Sequence, residues 1–118
     1  MTTAPAYAIG YLRDVRFGDD IIEYMERFDS TLAPFGGEFI VHGGALSPRE
    51  GEWDGDVIII RFPSVEAATS WYDSPAYQAI VPLRTANSEG VVTIVEGVLP
   101  GHRGVDKLAE LLASSPSA

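Results

Sequence analysis

Asp54-Gly55-Asp56-Val57-Ile58-Ile59-Ile60-Arg61-Phe62-Pro63-Ser64-Val65-Glu66-Ala67-Ala68-Thr69-Ser70-Trp71-Tyr72-Asp73-Ser74-Pro75-Ala76-Tyr77 holds, in order, a turn, a β-branched run, a Pro-Ser stop, a helix and a Ser-Pro helix start. Val57 to Ile60 is apolar on both faces of a pleat. A run so short and so rich in Val and Ile reads as a strand covered from both sides, hence a central strand. Pro63 cannot donate to a ladder and Ser64 can cap a helix, so strand gives way to helix within two residues. The helix stripe is Val65, Ala68 and either Trp71 or Tyr72. Ser74-Pro75 then sets a cap residue before a proline at the first helical position. Pro82 falls too deep for a helix start, and a kink or break is expected near Val81.

Upstream, Tyr7 to Arg13 reads as the first strand, with Ala8 and Gly10 small enough to let a helix approach one face while the tyrosines take the other. Gly18-Asp19-Asp20 supplies a turn and a capping carboxylate. Ile21, Met25, Phe28, Leu32 and Phe35 then mark the apolar stripe of an amphipathic helix, which Pro34 and Gly36-Gly37 end. Glu38 to His42 is the second strand, and strict alternation puts Phe39 and Val41 on one face and Glu38, Ile40 and His42 on the other. Ala45 to Asp56 connects it to the central strand and carries Trp53 near its end. Downstream, Asn87 to Gly90 is a turn and Val91 to Glu96 the last strand. In the tail, Val105, Leu108, Leu111 and Leu112 have the spacing of a short appended helix, before a disordered-looking Ser114-Ser115-Pro116-Ser117-Ala118 end.

The chain of 118 residues is sized for a single domain, with a core over 7–97 and an extension over 98–118. At 46% hydrophobic and 21% charged residues it has an ordinary globular composition, and no apolar run approaches the roughly 20 residues of a membrane span. Nothing in Met1 to Pro5 resembles a secretory signal, so a cytoplasmic location is the default expectation. The absence of cysteine removes disulfides and thiolate chemistry. A net charge of −9 with scattered cations would repel a phosphate backbone, and nucleic acid is not an expected partner.

Strand, helix, strand, strand, helix, strand is the order of the ferredoxin-like βαββαβ unit, an α+β fold with two helices on one face of a four-stranded antiparallel sheet. The other face would carry Tyr7, Ile9, Tyr11, Ile40, Val57, Ile59, Val91 and Val95. That surface is too apolar to leave in water, which argues for a partner sheet and a homodimer.

Over Tyr7 to Gly97 the chain resembles the domain of unknown function 1330 family of the dimeric α+β barrel superfamily. The residues that carry the likeness are Phe35-Gly36-Gly37-Glu38-Phe39, Gly43-Gly44, Phe62-Pro63-Ser64, Trp71-Tyr72-Asp73-Ser74-Pro75-Ala76-Tyr77, Arg84 and Val95-Glu96-Gly97. Two positions depart from the family pattern: His42, where an arginine is common, and Arg61, where an acidic residue is. The resemblance implies a homodimer whose sheets face each other, with a pocket between sheet and helices in each subunit.

Within that fold, His42 is the one histidine, and an imidazole gives and takes protons near neutral pH, so it is the candidate acid/base. The plain alternative is a rim residue with one hydrogen bond. Arg84 and Arg61 could each hold a carboxylate or enolate oxygen in a planar two-point contact. Alternatively Arg84 pairs with Asp73 or Glu96 and ties helix to sheet. Trp71, Tyr72 and Tyr77 have core spacing, yet a tyrosine whose ring packs can still present its hydroxyl to a substrate, and Tyr11 and Trp53 are candidates for the same cavity. Neither metal-ligand spacing nor a phosphate or dinucleotide glycine loop is present, so no metal, flavin or nicotinamide is expected.

These residues point to a cofactor-independent enzyme, isomerase-, cyclase- or monooxygenase-like, acting on a small oxygenated metabolite. His42 is the catalytic candidate, with Arg84, Tyr11, Tyr77, Trp71 and Arg61 as substrate-binding candidates. The alternative is a non-catalytic small-molecule-binding or stress-related dimer, which needs the same pocket but no titrating group.

Overall fold

A computed structural model describes residues 3–114. β1 (Ala6–Arg13) leads to α1 (Asp19–Leu32), a 3-10 turn (Ala33–Phe35), β2 (Glu38–His42) and β3 (Asp56–Phe62). The helical run α2 (Val65–Asp73), α3 (Pro75–Gln78) and α4 (Val81–Thr85) precedes β4 (Glu89–Glu96) and α5 (Gly104–Ser114). The sheet has the order β2-β3-β1-β4 with all neighbours antiparallel. This is the expected βαββαβ arrangement, with β3 and β1 at its centre and α5 appended.

The helices cover one face because β1 presents almost no side chain there. Ala6, Ala8 and Gly10 lie opposite Phe62, Ile60 and Ile58 of β3, so rings and branched chains fill the space that β1 leaves. Phe62, Ala68 and Ile80 are 0% exposed and Trp71 is 2% exposed, which places the densest packing at the end of the sheet where β1 begins. Val57 and Ile59 point to the opposite face and stay half-buried, so within one chain β3 is covered on one side only.

The helix starts follow local chemistry. Ser64 Oγ accepts from Ala67 N at 3.1 Å and Ser74 Oγ from Tyr77 N at 3.2 Å, as the two Ser-led starts anticipate. Gly18, by contrast, caps α1 without a side chain. Asp19 and Asp20 fall inside the first turn, where they favour the positive end of the helix dipole instead of capping it. The break expected near Val81 comes at Ala79–Ile80, and Pro82 sits in the first turn of the separate helix α4, where its missing N–H costs no bond. β4 begins at Glu89, two positions before the expected start, because Glu89 pairs with Arg13 and Gly90 with Leu12. Of the Ser114 to Ala118 end, 115–118 lie outside the described residues.

The strict alternation expected in β2 does not hold. Phe39 pairs with Ile60 but Val41 with Ile59, leaving Ile40 as an extra residue in a bulge. The inserted residue reverses the parity beyond it, so Phe39 and His42 share the helix-covered face and Val41 takes the open one.

Gly37, just before β2, passes directly beneath the core. A Cβ there would lie 2.7 Å from Phe62 Cε1 and 2.9 Å from Leu32 Cδ2, both on buried side chains. Gly37→Ala should therefore destabilise the fold by about 1–3 kcal/mol, seen as a lower urea midpoint with an unchanged slope. Gly18→Ser, in extended backbone with nothing within 4 Å of its Cβ, should change stability by no more than a few tenths of a kcal/mol, roughly, and upward.

Candidate active site

Toward the other end of the sheet the helix layer lifts away and leaves a cavity of about 420 Å³ between sheet and helices. Its floor is β1 and its neighbours, with Gly10, Leu12, Ile58 and Val92, and its roof is α1, with Ile21, Tyr24, Met25 and Phe28. Gly10 lies deep in this floor, and a Cβ added there would rest at 3.9 Å from Ile58 and Val92, an ordinary contact.

Trp71 and Tyr77 close the inner wall. Their rings lie 4.2 Å apart between centroids, and Phe28 packs on both. The indole N–H of Trp71 donates to Thr31 Oγ1 at 3.0 Å, and Thr31 Oγ1 donates to Phe28 O at 2.7 Å, so α2 is tied to α1 by a buried polar chain. Core packing of Trp71 and a place in the cavity wall are therefore both realised.

At this wall a polar group forms in otherwise apolar surroundings. Tyr24 Oη and Tyr77 Oη are 2.7 Å apart, and Arg84, only 7% exposed, lies against both hydroxyls. Burial pushes the Tyr24 phenol far above its ordinary range; Tyr77 adds to the rise and Arg84 opposes it. Burial by itself would lower the Arg84 guanidinium, but Tyr77 and Tyr24 outweigh it and the group is held above its ordinary value. Neither Asp73 nor Glu96 pairs with Arg84 among the described residues. Its Nε is buried without a hydrogen-bond partner there, and such a group is expensive to leave unsatisfied.

His42 reaches the same cavity from β2. Its ring stacks on Phe39 with centroids 4.2 Å apart and planes at 4°, and the residue is exposed, so it forms part of the rim. The bulge at Ile40 is what turns it inward. Of the six residues singled out in the sequence, His42, Arg84, Tyr77 and Trp71 line this one cavity.

Tyr11 and Arg61 do not. β1 and β3 alternate without interruption there, so both side chains fall on the open face, opposite Val57 and Tyr7 respectively. Tyr11 Oη donates to Asp54 Oδ1 at 2.6 Å and accepts from Asp54 N at 2.8 Å; that bond raises the Tyr11 phenol and lowers the Asp54 carboxyl. Trp53 packs edge-on against Tyr11, on that same side. Arg61 pairs with Glu38 at 3.5 Å.

Tyr24 is the cavity residue that the sequence reading passed over. Ile21, Tyr24 and Phe28 follow the same three-and-four spacing as Ile21, Met25 and Phe28, and the choice of Met25 as the more apolar residue hid it. Met25 also lines the cavity but is 52% exposed.

Solved structures share the fold. A protein of unknown function from Rhodopseudomonas palustris, RPA0582, is 21% identical, covering 82% of this chain and 85% of its own at a TM-score of 0.57. SnoaB, a cofactor-independent oxygenase from Streptomyces nogalater, is 13% identical, covering 86% and 100% of the two chains at 0.55. A hydroxynitrile lyase from Passiflora edulis is also 13% identical, covering 85% and 98% at 0.55. No curated protein matches the chain. A family model matches residues 5–98, nearly all of the α+β sheet and the helical layer on its one face: the chain belongs to the family described as a domain of unknown function, DUF1330.

Proposed function

We propose that this protein is a cofactor-independent enzyme acting on a small, partly apolar, oxygenated metabolite, and that the cavity between sheet and α1 is its active site. The observation that carries this reading is the buried, cationic Arg84, whose Nε has no partner among the described residues and which stands beside two phenol hydroxyls in an apolar cavity. A carboxylate or enolate oxygen in the cavity would meet the guanidinium where Arg84 lines it, and low polarity strengthens the contact. Of the two phenols one donates to the other, which leaves one O–H to donate to the same oxygen, and Leu12, Ile58 and Val92 give the apolar part of the ligand its contact.

His42 at the rim is the proton carrier in this scheme. It takes a proton from carbon beside the polarised carbonyl while Arg84 and the free phenol O–H hold the resulting enolate oxygen. Return of the proton to a different carbon completes an isomerisation; attack by the enolate carbon on a second carbonyl of the same molecule, whose oxygen then takes the proton back from His42, completes a cyclisation. Two solved structures of this fold are of enzymes, a cofactor-independent oxygenase and a hydroxynitrile lyase, but a shared fold does not transfer a reaction.

The stack of His42 on Phe39 favours a second reading, a non-catalytic binding protein in which the imidazole only shapes the rim. The two readings separate on whether the wild type turns over a ligand that it binds.

The open sheet face supports a homodimer. Val91 is 70% exposed and Val95 45%, beside Tyr7, Ile9, Val57 and Ile59 on the same side. A second sheet laid against this face removes it from water.

Small carboxylates and aromatic ketones screened for thermal stabilisation should yield a ligand that raises the melting temperature of the wild type but not of Arg84→Met. With a substrate so identified, His42→Ala should lower turnover by about 10²–10⁴-fold while binding persists. Intact turnover in both His42→Ala and Arg84→Ala would overturn the assignment, and intact binding with no turnover in the wild type would favour the binding protein. Sedimentation at micromolar concentration should give twice the 12.7 kDa chain mass; a single subunit would remove the dimer.

The raised Tyr24 pKa also sets a pH dependence. The folded state holds this proton more tightly than the unfolded one, so the contribution is complete below the ordinary phenol pKa of about 10 and is lost as pH rises beyond it. Urea unfolding between pH 8 and 11 should show stability falling above about pH 10, and less steeply in Tyr24→Phe.

A further inference from the structure

α5 (Gly104–Ser114) has no buried residue. Val105, Leu108, Leu111 and Leu112 are 56%, 54%, 53% and 67% exposed, and their spacing puts them on one stripe. Asp106, Lys107 and Glu110 occupy the other side, where Asp106 accepts from Arg103 N at 2.8 Å and Lys107 pairs with Glu110 at 3.1 Å. The helix is thus amphipathic with its apolar side uncovered. At 11 residues it is too short to hold together in water without a packing partner. The radius of gyration of 16.9 Å also exceeds the roughly 13.5 Å of a compact chain this long, as a projecting element requires.

From these observations we infer that α5 docks on a second copy of this chain, its stripe lying against the β2 side of the partner's sheet. The inference rests on the dimer proposed above. Three observations favour that occupant. The first is area: four strands at about 4.8 Å spacing and roughly 27 Å long present on the order of 500 Å² in plan. A stable interface takes roughly 800 Å² of accessible surface from each partner, so a face of this plan area only just suffices once its side chains are counted, and the apolar stripe of α5 adds to it.

The second is a receptive surface at the far edge of the sheet. Ile40, extruded by the bulge in edge strand β2, is 50% exposed. Beside it a groove of about 540 Å³ is lined by Val41, Leu46, Pro48, Trp53 and Val57 on the open-face side. The third is position. α5 follows β4, which lies at the opposite edge from β2 in the order β2-β3-β1-β4, so the chain leaves the sheet toward α5 from the edge opposite this surface. Sheets packed face to face keep their strands nearly aligned, and of the two two-fold axes that allow this, the one along the strands sets β4 of each copy over β2 of the other, as the α5 placement requires. The exposed Val98 and Leu99, at 57% and 47%, continue the apolar surface from β4 toward α5.

The chain has no cysteine, so Leu108→Cys carries a unique site for a benzophenone maleimide. Labelled ¹⁵N protein is mixed with unlabelled wild type, illuminated and digested, and sedimentation of the full chain is run in parallel. The inference expects a dimer and cross-linked peptides that join a heavy 108 to light residues between 38 and 57. A dimer whose cross-links stay within one chain, map to residues 89–99 of the partner or do not form overturns the α5 placement and leaves the sheet-to-sheet dimer standing. A monomer overturns both.

Discussion

The hydrogen bond from the Trp71 indole to Thr31 locks α2 to α1 above the sheet. Trp71 is nearly inaccessible and packs against Phe28, Phe62 and Tyr77, so neither helix can shift against the other without losing that bond or opening the core. The layer is therefore a wedge. It closes tightly over Ala6 and Phe62 and stands clear of Gly10 and Val92, and the cavity is the volume left under its thick end. A polar bond inside an aromatic cluster is well suited to this task, because dispersion contacts tolerate sliding while a donor and acceptor at 3.0 Å do not.

The two faces of the sheet divide the work. Facing the helices, short side chains on β1 make room for rings and for the guanidinium of Arg84; facing outward, the same strand carries Tyr7, Ile9 and Tyr11. Period-two alternation makes these assignments rigid along β1 and β3. Only in β2 is it broken, and the break at Ile40 serves both faces at once: it delivers His42 to the cavity and leaves an isoleucine proud of the sheet edge.

The order of elements, the strands and the Ser-capped helices were legible because each is written locally: β-branched runs, a proline that stops a ladder, a serine before a helix. The position of His42 was not, since a bulge depends on pairing between β2 and β3, and nothing in Glu38 to His42 announces it. Arg84 was visible as a candidate, whereas the solitude of its Nε and its two phenol neighbours arise from a contact between α1 and α3–α4 that no local pattern encodes. Tyr24 was hidden for a different reason. Adjacent residues on a helix compete for one stripe position, and hydrophobicity favours methionine where packing selected tyrosine. Tyr11 and Arg61 lie near the sheet centre but on its open face, as the alternation of Tyr7, Ile9 and Tyr11 along β1 already indicates for Tyr11 and the pairing of Arg61 with Tyr7 shows for β3.

The missing side chain at Gly10 makes the chamber adjustable. A methyl group at that point meets its neighbours at a comfortable 3.9 Å, so the backbone has no need of glycine there, and what the absent carbon preserves is empty space. A methyl group at this single locus would narrow the chamber while meeting only Ile58 and Val92 within 4 Å. Descendants of one ancestral gene could thus drift toward smaller or larger guests by altering one codon, with the surrounding machinery inherited intact.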